Sequence, residues 1–357
     1  MVPYLRAANV KDGQLDLTDV KTMDFNPSEQ RTFSLMPGDV LVSEGSGSLG
    51  TVGASAVWNA EIDGVVCFQN TLLRLRPKPG NDPRFLMWWA RHAYGSGLFA
   101  SIADGANIYH LGADGVRTLP AAMPDARMQR AISDYLDAET ARIDRLVTST
   151  KAMIDLLMAR RSSEVNRAVL PPSLPEDWEA RRLRRIATLK SGDSITAESI
   201  EAQGDYPVYG GNGVRGYTSA YNCEGIYPLV GRQGALCGNV NYAIGRSWAS
   251  EHAIVVRPNA GVEPYWLGEL LRAMDLNQYS MTAAQPGLAV DQLENLQVPV
   301  PPLVQQPAIS AWLRSRAISY ESVSLSLNHR LGLLLERRQA LITAAVTGQI
   351  EIPGVAA

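Results

Sequence analysis

The chain lacks most of what makes an enzyme legible in its sequence. Its 357 residues include three cysteines, Cys67, Cys223 and Cys237, and no CxxC pair. Neither a disulfide framework nor a cysteine metal site is expected, and a reducing cytoplasm is the simplest home. The four histidines, His92, His110, His252 and His329, have no metal-ligand spacing. No P-loop GxxxxGKS or GxxxxGKT occurs, and no GxSxG nucleophile elbow. The Asn/Asp-Pro-Pro-aromatic tetrapeptide usual in methyl transfer to a DNA base nitrogen is also missing. A Ser–His–acid triad assembled from distant residues stays open, but no credible active site is visible. No run approaches 18 apolar residues, which excludes a transmembrane helix. The first residues, Met1-Val2-Pro3-Tyr4-Leu5-Arg6, lack a basic region followed by an apolar run, so no signal peptide is expected. Charge is nearly balanced, 33 Lys+Arg against 36 Asp+Glu for a net −3, so nothing global marks a polyanion binder. At 46% hydrophobic and 19% charged this is ordinary globular composition, in a chain long enough for two domains.

What is present is a repeat. A helix-patterned stretch at about 129–169 recurs at about 306–346, without a gap, at an offset of 177. Ala131-Ile132-Ser133 matches Ala308-Ile309-Ser310, Leu136 matches Leu313, and Leu157 matches Leu334. Arg160-Arg161 aligns with Arg337-Arg338, and Val169 with Val346. The stretches before the helices repeat more loosely. Val2 to Val10 lines up with Tyr206 to Val214, and Gly47-Ser48-Leu49 with Gly234-Ala235-Leu236. Residues 71–76 and 253–257 both alternate as strands and stop at a proline, Pro77 or Pro258. Pro83 and Pro264 each open an aromatic-rich helix. Pro171-Pro172-Ser173-Leu174-Pro175 is a stiff linker that no helix can cross.

The expected fold is α+β: two β-rich globular domains joined by two long antiparallel helices, with a pseudo-twofold internal repeat. The boundaries are 1–124 and 171–302 for the globules, 125–170 and 303–350 for the helices, and 351–357 for a tail. The helix pattern places Ile132, Leu136, Glu139, Ile143, Leu146, Thr150, Met153 and Leu157 on one seam. Ile309, Leu313, Arg316, Tyr320, Val323, Leu327, Arg330 and Leu334 fall on the same frame, with Leu341 beyond it. Alternating steps of four and three are the coiled-coil pattern, here broken by polar residues. A forty-residue helix is roughly 60 Å long at about 1.5 Å per residue, so pairing of the two helices is the economical solution. Long core helices of two separate domains are the plainer alternative.

Three groups of residues carry candidate chemistry. Gly45-Ser46-Gly47-Ser48-Leu49-Gly50 matches GxGxxG after a strand at 40–43. A dinucleotide site would need a helix to follow, yet Thr51-Val52-Gly53-Ala54 is β-branched and glycine-broken, which favours a turn. Arg181, Arg182, Arg184 and Arg185 suit phosphate contacts, or equally the wet face of a strand. Asn212, Arg215, Arg232 and Gln233 sit beside glycines, where forked donors can reach base edges, although the glycines would serve turns alike. Asn9, Ser46, Ser48, Asn107, Tyr109 and His110 are the corresponding candidates in the first globule.

The chain resembles the specificity subunit of type I restriction–modification systems along nearly its whole length. The residues that carry the likeness are Ala131 to Asp144 (AISDYLDAETARID) and Leu335 to Ile350 (LERRQALITAAVTGQI), with Val298 to Gln306 (VPVPPLVQQ) leading into the second helix. The resemblance implies a cytoplasmic DNA-binding subunit with no catalysis and no cofactor of its own. Each globule would read half of a split target in double-stranded DNA, and the helix pair would set the gap. Two methylation subunits bearing S-adenosylmethionine would dock on the helices. Restriction subunits, with ATP and Mg, would join them. One departure stands out: residues 175–204 have no counterpart in the first globule. Either a start upstream of Met1 or the tail at 350–357 is expected to complete that domain. A nucleotide-cofactor enzyme using residues 45–50, and a scaffold that no longer reads DNA, are the alternatives.

Overall fold

A computed structural model describes all residues except 47, 49, 106, 107, 235, 281–286 and 354–357. It divides into two compact units, Met1–Lys151 with Asn328–Ala357, and Ala152–Leu327. The divisions fall inside the two long helices rather than at their ends, because each helix gives one end to each unit. The longer helices are α1 (Pro83–Gly95), α2 (Ala126–Val169), α3 (Pro264–Ala273) and α4 (Gln306–Val346). Both long helices start within a turn of where the sequence repeat places them.

The first unit contains β1 (Val2–Leu5), β2 (Val40–Ser43), β3 (Ser55–Val57), β4 (Cys67–Phe68) and β5 (Leu72–Leu75). One antiparallel sheet runs in the order β3-β2-β5, with Val40 opposite both Val57 and Leu75. β2 reads Val-Leu-Val-Ser and is buried on both faces. Val40 and Val42 join a core with Phe85, Trp88, Phe99, Ile132, Leu136 and Ile342, whereas Leu41 joins Leu5, Trp58 and Leu72. β1 pairs parallel with β4 and antiparallel with Lys21–Met23. α1 begins where Asp82 accepts the Arg84 N–H at 2.8 Å and Pro83 presets the first turn. It ends at Gly95, and Gly97 turns the chain away at φ 81°. A helix absent from the sequence expectations, Pro27–Phe33, has a complete capping box. Asn26 accepts from the Ser28 and Glu29 N–H groups, and Glu29 accepts from the Asn26 N–H.

The second unit repeats and extends that plan with β6 (Glu179–Arg182), β7 (Ala187–Ser191), β8 (Tyr206–Gly210), β9 (Gly213–Thr218), β10 (Cys223–Gly231), β11 (Val240–Ala249), β12 (Ala253–Pro258) and β13 (Gln297–Val300). Six strands run in the order β7-β12-β10-β11-β8-β9, and β6 pairs antiparallel with β13. The run β12-β10-β11 corresponds to β5-β2-β3. α3 buries Trp266, Leu267, Leu270 and Leu271 against Leu183, Ile186, Leu189 and Val230 of the same core, which Val169 and Leu313 also enter.

Within each unit the long helices run antiparallel. In the first, Asp144 of α2 meets Arg338 of α4 at 2.9 Å, while Met128 and Ile132 lie beside Ala345 and Val346. In the second, Glu164 meets Arg316 at 2.5 Å, and Met158 lies near Leu325. The buried frame differs from the sequence expectation by one residue at every second position. Leu136, Ile143 and Leu157 face inward as expected, and so do Leu313, Tyr320, Leu327 and Leu334. Between them Thr140, Val147 and Ile154 turn inward instead of Glu139, Leu146 and Met153. On α4 the matching positions are Ala317, Ser324 and Leu331. Leu146 is 39% exposed and Val323 47%. Neighbours at three and four steps share a helix face, and here packing selects the fourth where the pattern of large residues suggested the third. Both copies shift alike, so the 177-residue repeat survives. Arg161 and Arg338 take equivalent positions on the corrected frame.

A glutamine clamp fixes each helix start to its globule. Gln129 is buried, accepts the Asp82 N–H at 2.9 Å, and donates to the Asn81 side chain and the Pro124 carbonyl. Its repeat partner Gln306 accepts the Glu263 N–H at 2.9 Å and donates to the Pro301 carbonyl at 3.1 Å. Each pins the N-terminus of α1 or α3 to the segment preceding a long helix.

Candidate nucleic-acid interface

In the second unit the glycine-flanked loops form one polar cluster. The β8–β9 turn carries Asn212, whose side chain accepts from the Asn239 amide at 2.9 Å. Gly231 donates to the Asn239 carbonyl and Gly238 donates back to Gly231, closing the loop that holds Arg232 and Gln233. Arg232 donates its backbone N–H to His252, so this loop lies at the Ala253 end of β12. An open cavity of about 410 Å³ beside it is lined by Asn212, Asn239, Asn241, Asp275, Asn277 and Arg272. Asn212 and Gln233 are exposed, Arg232 half-buried, and Arg215 exposed on β9. Asn239, Asn241 and Asn277 were not among the sequence candidates. The Gly238-Asn239 dipeptide was the available signal for the first of them.

The arginine run lies elsewhere. Arg181 and Arg182 are on β6, and Arg184 and Arg185 on the short helical turn that follows, all four exposed around buried Leu183 and Ile186. The Asn259 side chain donates to the Arg185 carbonyl at 3.0 Å, which places the run at the Pro258 end of β12. Five residues of strand separate the two groups, roughly 17 Å at about 3.3 Å per residue. Arg181 is paired with Glu179 at 2.6 Å and Arg182 reaches the Asn295 side chain at 3.5 Å. The run is thus a separate basic edge, with turns of main chain rather than one alternating strand behind it.

Behind the polar loops is a buried knot. Glu269 is 3% exposed, forms an ion pair with Arg272, and accepts the Tyr242 hydroxyl at 3.1 Å. Burial, then the neighbouring Glu269 carboxylate, pushes the Tyr242 phenol far up. The knot fixes α3 to β11, and with it the cavity edge at Asn241.

In the first unit Gly45–Ser46 forms a short ladder with Tyr109–His110, with Ser46 opposite Tyr109 and Gly45 opposite His110; Tyr109 packs against the core and His110 is exposed. Ser48 follows in an exposed turn and accepts the Gly50 N–H at 3.2 Å. Gly47 and Leu49 of the glycine-rich segment lie outside the described residues; the described residues that follow, 50–53, form a turn and not a helix. Asn107 lies outside the described residues. Asn9 is a correction: it is 2% exposed, accepts the Arg6 N–H, and donates to the Asp16 and Asp19 carbonyls. Its amide is used to close its own loop and is not presented to a ligand. Among the described residues no group of three or more His, Cys, Asp or Glu side chains could hold a metal ion. No described helix is long and apolar enough to cross a membrane.

Comparison with known proteins decides what these loops belong to. Residues 175–315 match the family model described as "Type I restriction modification DNA specificity domain". The matched stretch lies within the second unit and holds the loops described above. By sequence the chain is 42% identical over 141 residues, 38% of its length, to the type I restriction enzyme EcoprrI specificity subunit of Escherichia coli, covering 35% of that protein. It is 25% identical over 183 residues, half of its length, to the type I restriction enzyme EcoKI specificity subunit of Escherichia coli strain K12, covering 37% of it. In these matches the chain spans about a third of the length of the curated relatives. By fold it resembles a chain of the structure described as "Structural basis underlying complex assembly and conformational transition of the type I R-M system". The TM-score is 0.82 at 18% identity, over 98% of this chain and 92% of the other. It also resembles the HsdS subunit from Thermoanaerobacter tengcongensis, with a TM-score of 0.56 at 17% identity over 98% and 91%. The resemblance to this family is thus met by a family model over residues 175–315 and by relatives named as specificity subunits, and the solved structures add a likeness of fold over 98% of the chain.

Proposed function

We propose that the chain is the DNA-reading and assembly subunit of a restriction–modification complex, without catalysis or cofactor of its own. The observation that carries this reading is the duplication of one structural plan around a matched specificity domain. Sheet, aromatic helix, glutamine clamp and helix frame occur in both units. Two modules of one design suit a target in two halves. Each unit reads one half, and the long helices set the separation of the halves, near one duplex turn of roughly 34–36 Å. The loops around Asn212, Gln233 and Asn239 are the base-reading candidates of the second unit, and Arg181, Arg182, Arg184 and Arg185 its phosphate-facing edge. Ser48, Tyr109 and His110 are their counterparts in the first.

The helices also serve as a dock for two methylation subunits, which bring S-adenosylmethionine, and for restriction subunits with ATP and Mg. Support comes from the outward apolar side chains: Leu156 is 70% exposed, Ile318 68% and Leu325 65%, and the displaced seam residues Leu146 and Val323 join them. A net charge of −3 agrees with partners that share the grip on phosphate. The test is to co-purify the chain with a methylation subunit and measure binding to split-site duplexes against bulk DNA. Selective binding beyond what the partner shows alone supports the reading; equal binding to every sequence refutes it.

A further inference from the structure

Each unit has one joint between an aromatic helix and the start of a long helix, and the repeat allows a comparison position by position. α1 maps onto α3 at the offset of 181 fixed by Pro83 and Pro264, and the start of α2 maps onto that of α4 at 177. The glutamine clamps match, Gln129 with Gln306. The charged groups beside them do not.

In the first joint the globule presents a cation and the long helix presents acids. Arg84 of α1 pairs with Asp134 at 2.8 Å and Asp137 at 2.9 Å, both on α2. The Trp88 indole N–H donates to Asp137 at 3.0 Å. In the second joint Arg84 is replaced by Tyr265, Trp88 by Glu269, Asp134 by Ala311 and Asp137 by Arg314. The Arg314 guanidinium of α4 lies 4.8 Å over the Tyr265 ring and reaches Glu263 at 3.7 Å. Tyr265 in turn stacks on Tyr242 at 5.2 Å, and Glu269 is taken up by Arg272 and the Tyr242 hydroxyl. The helix start thus carries carboxylates in one joint and a guanidinium in the other. The side chain facing it changes from a cation to an aromatic ring, which a guanidinium can cover.

We propose that the two joints are keyed by charge, so that each globule fits the helix start on which it stands and is rejected by the other. Placed on the start of α4, α1 would set Arg84 against Arg314, two cations beside the one carboxylate of Asp82. Placed on the start of α2, α3 would leave Asp134 and Asp137 without a cation. It would also put Glu269 where Trp88 now donates to Asp137, a carboxylate in the place of a donor. Each exchange turns attraction into repulsion, and an interface separates close relatives in that way. The consequence rests on the reading that each unit reads half of a target: the joints hold the two modules, and so the two half-sites, in one order.

The test uses the full chain and thermal melts. In the second joint the variants are Tyr265→Arg, Arg314→Asp and the two together. Each single change should lower the melting temperature by about 2–5 °C. The double restores the first joint's pairing of a basic globule with an acidic helix start, and should regain at least about 2 °C of the summed losses. The first joint gives a second arm at partly exposed positions: Arg84 and Asp137 are each 41% exposed. Asp137→Arg should melt below Asp137→Asn, and the difference should shrink in about 1 M salt, where screening acts within about 3 Å. Losses that add in the double would overturn the proposal, and so would Asp137→Arg melting no lower than Asp137→Asn. No DNA enters these melts, so a failed key and a failed DNA reading are told apart.

Discussion

Gln306→Ala tests the clamp that joins helix to globule. Gln306 has no exposed surface, and its amide makes two hydrogen bonds, from the Glu263 N–H at 2.9 Å and to the Pro301 carbonyl at 3.1 Å. Alanine leaves the buried Pro301 carbonyl and the part-buried Glu263 N–H without this partner, at about 1–3 kcal/mol each. The expected loss is therefore about 2–6 kcal/mol. For a unit of this size about 2–4 °C accompany each kcal/mol, so the melting temperature should fall by at least about 4 °C and at most about 24 °C. Circular dichroism melts of wild type, Gln306→Ala and the exposed control Gln349→Ala would measure it, with the control within about 0.5 kcal/mol. Hydrogen exchange at the Glu263 amide should accelerate in the variant. A drop below about 1 °C with unchanged exchange would mean that the clamp contributes nothing, and the same reasoning for Gln129 would fail with it.

Other outcomes follow from the same geometry. Val147→Ala should cost about 2 kcal/mol by thermal melt and Leu146→Ala less than about 1, since only the former is buried; the reverse order would restore the uncorrected frame. Glu164 is held down at about 2, first by Arg316 and then by Arg160, against an ordinary 4.5. Its contribution is complete above about pH 4.5 and is lost as pH falls toward 2, so the melting-temperature gap between wild type and Glu164→Gln should narrow on going from neutral pH to about pH 3. A gap that is constant with pH would contradict the pairing. Reversing the charge of Arg181, Arg182, Arg184 and Arg185 should weaken DNA binding by the partner-bound chain. The logarithmic salt slope should flatten by about 0.9 for each phosphate no longer neutralised, and an unchanged slope would take that edge off the DNA.

How much of this is legible in the sequence depends on how local the cause is. The repeat, the helix limits at Val169 and Val346, the strands at 40–43 and 72–75 and the Pro83 helix all come from signals a few residues long. The helix Pro27–Phe33 has such a signal too, since Asn26-Pro27-Ser28-Glu29 spells an N-cap, a first-turn proline and a capping-box acid, although hydrophobic periodicity alone does not reveal it. The seam phase is not legible, because Leu146 and Val147 are both apolar and only the opposing helix selects between them. Nor is the separation of the arginine run from the Asn212 loops, which depends on the register of β7 on β12 between residues far apart in sequence. Asn9 looks like a ligand for the reason that it is a good loop-closer: one amide satisfies three backbone groups.

The central claim, that this chain chooses the DNA sequence on which a complex acts, is tested most directly by mapping methylated bases across the genome in cells with and without it. The account predicts that one split motif loses its methylation when the chain is removed and regains it when the chain is restored. An identical methylation map in both strains would contradict it.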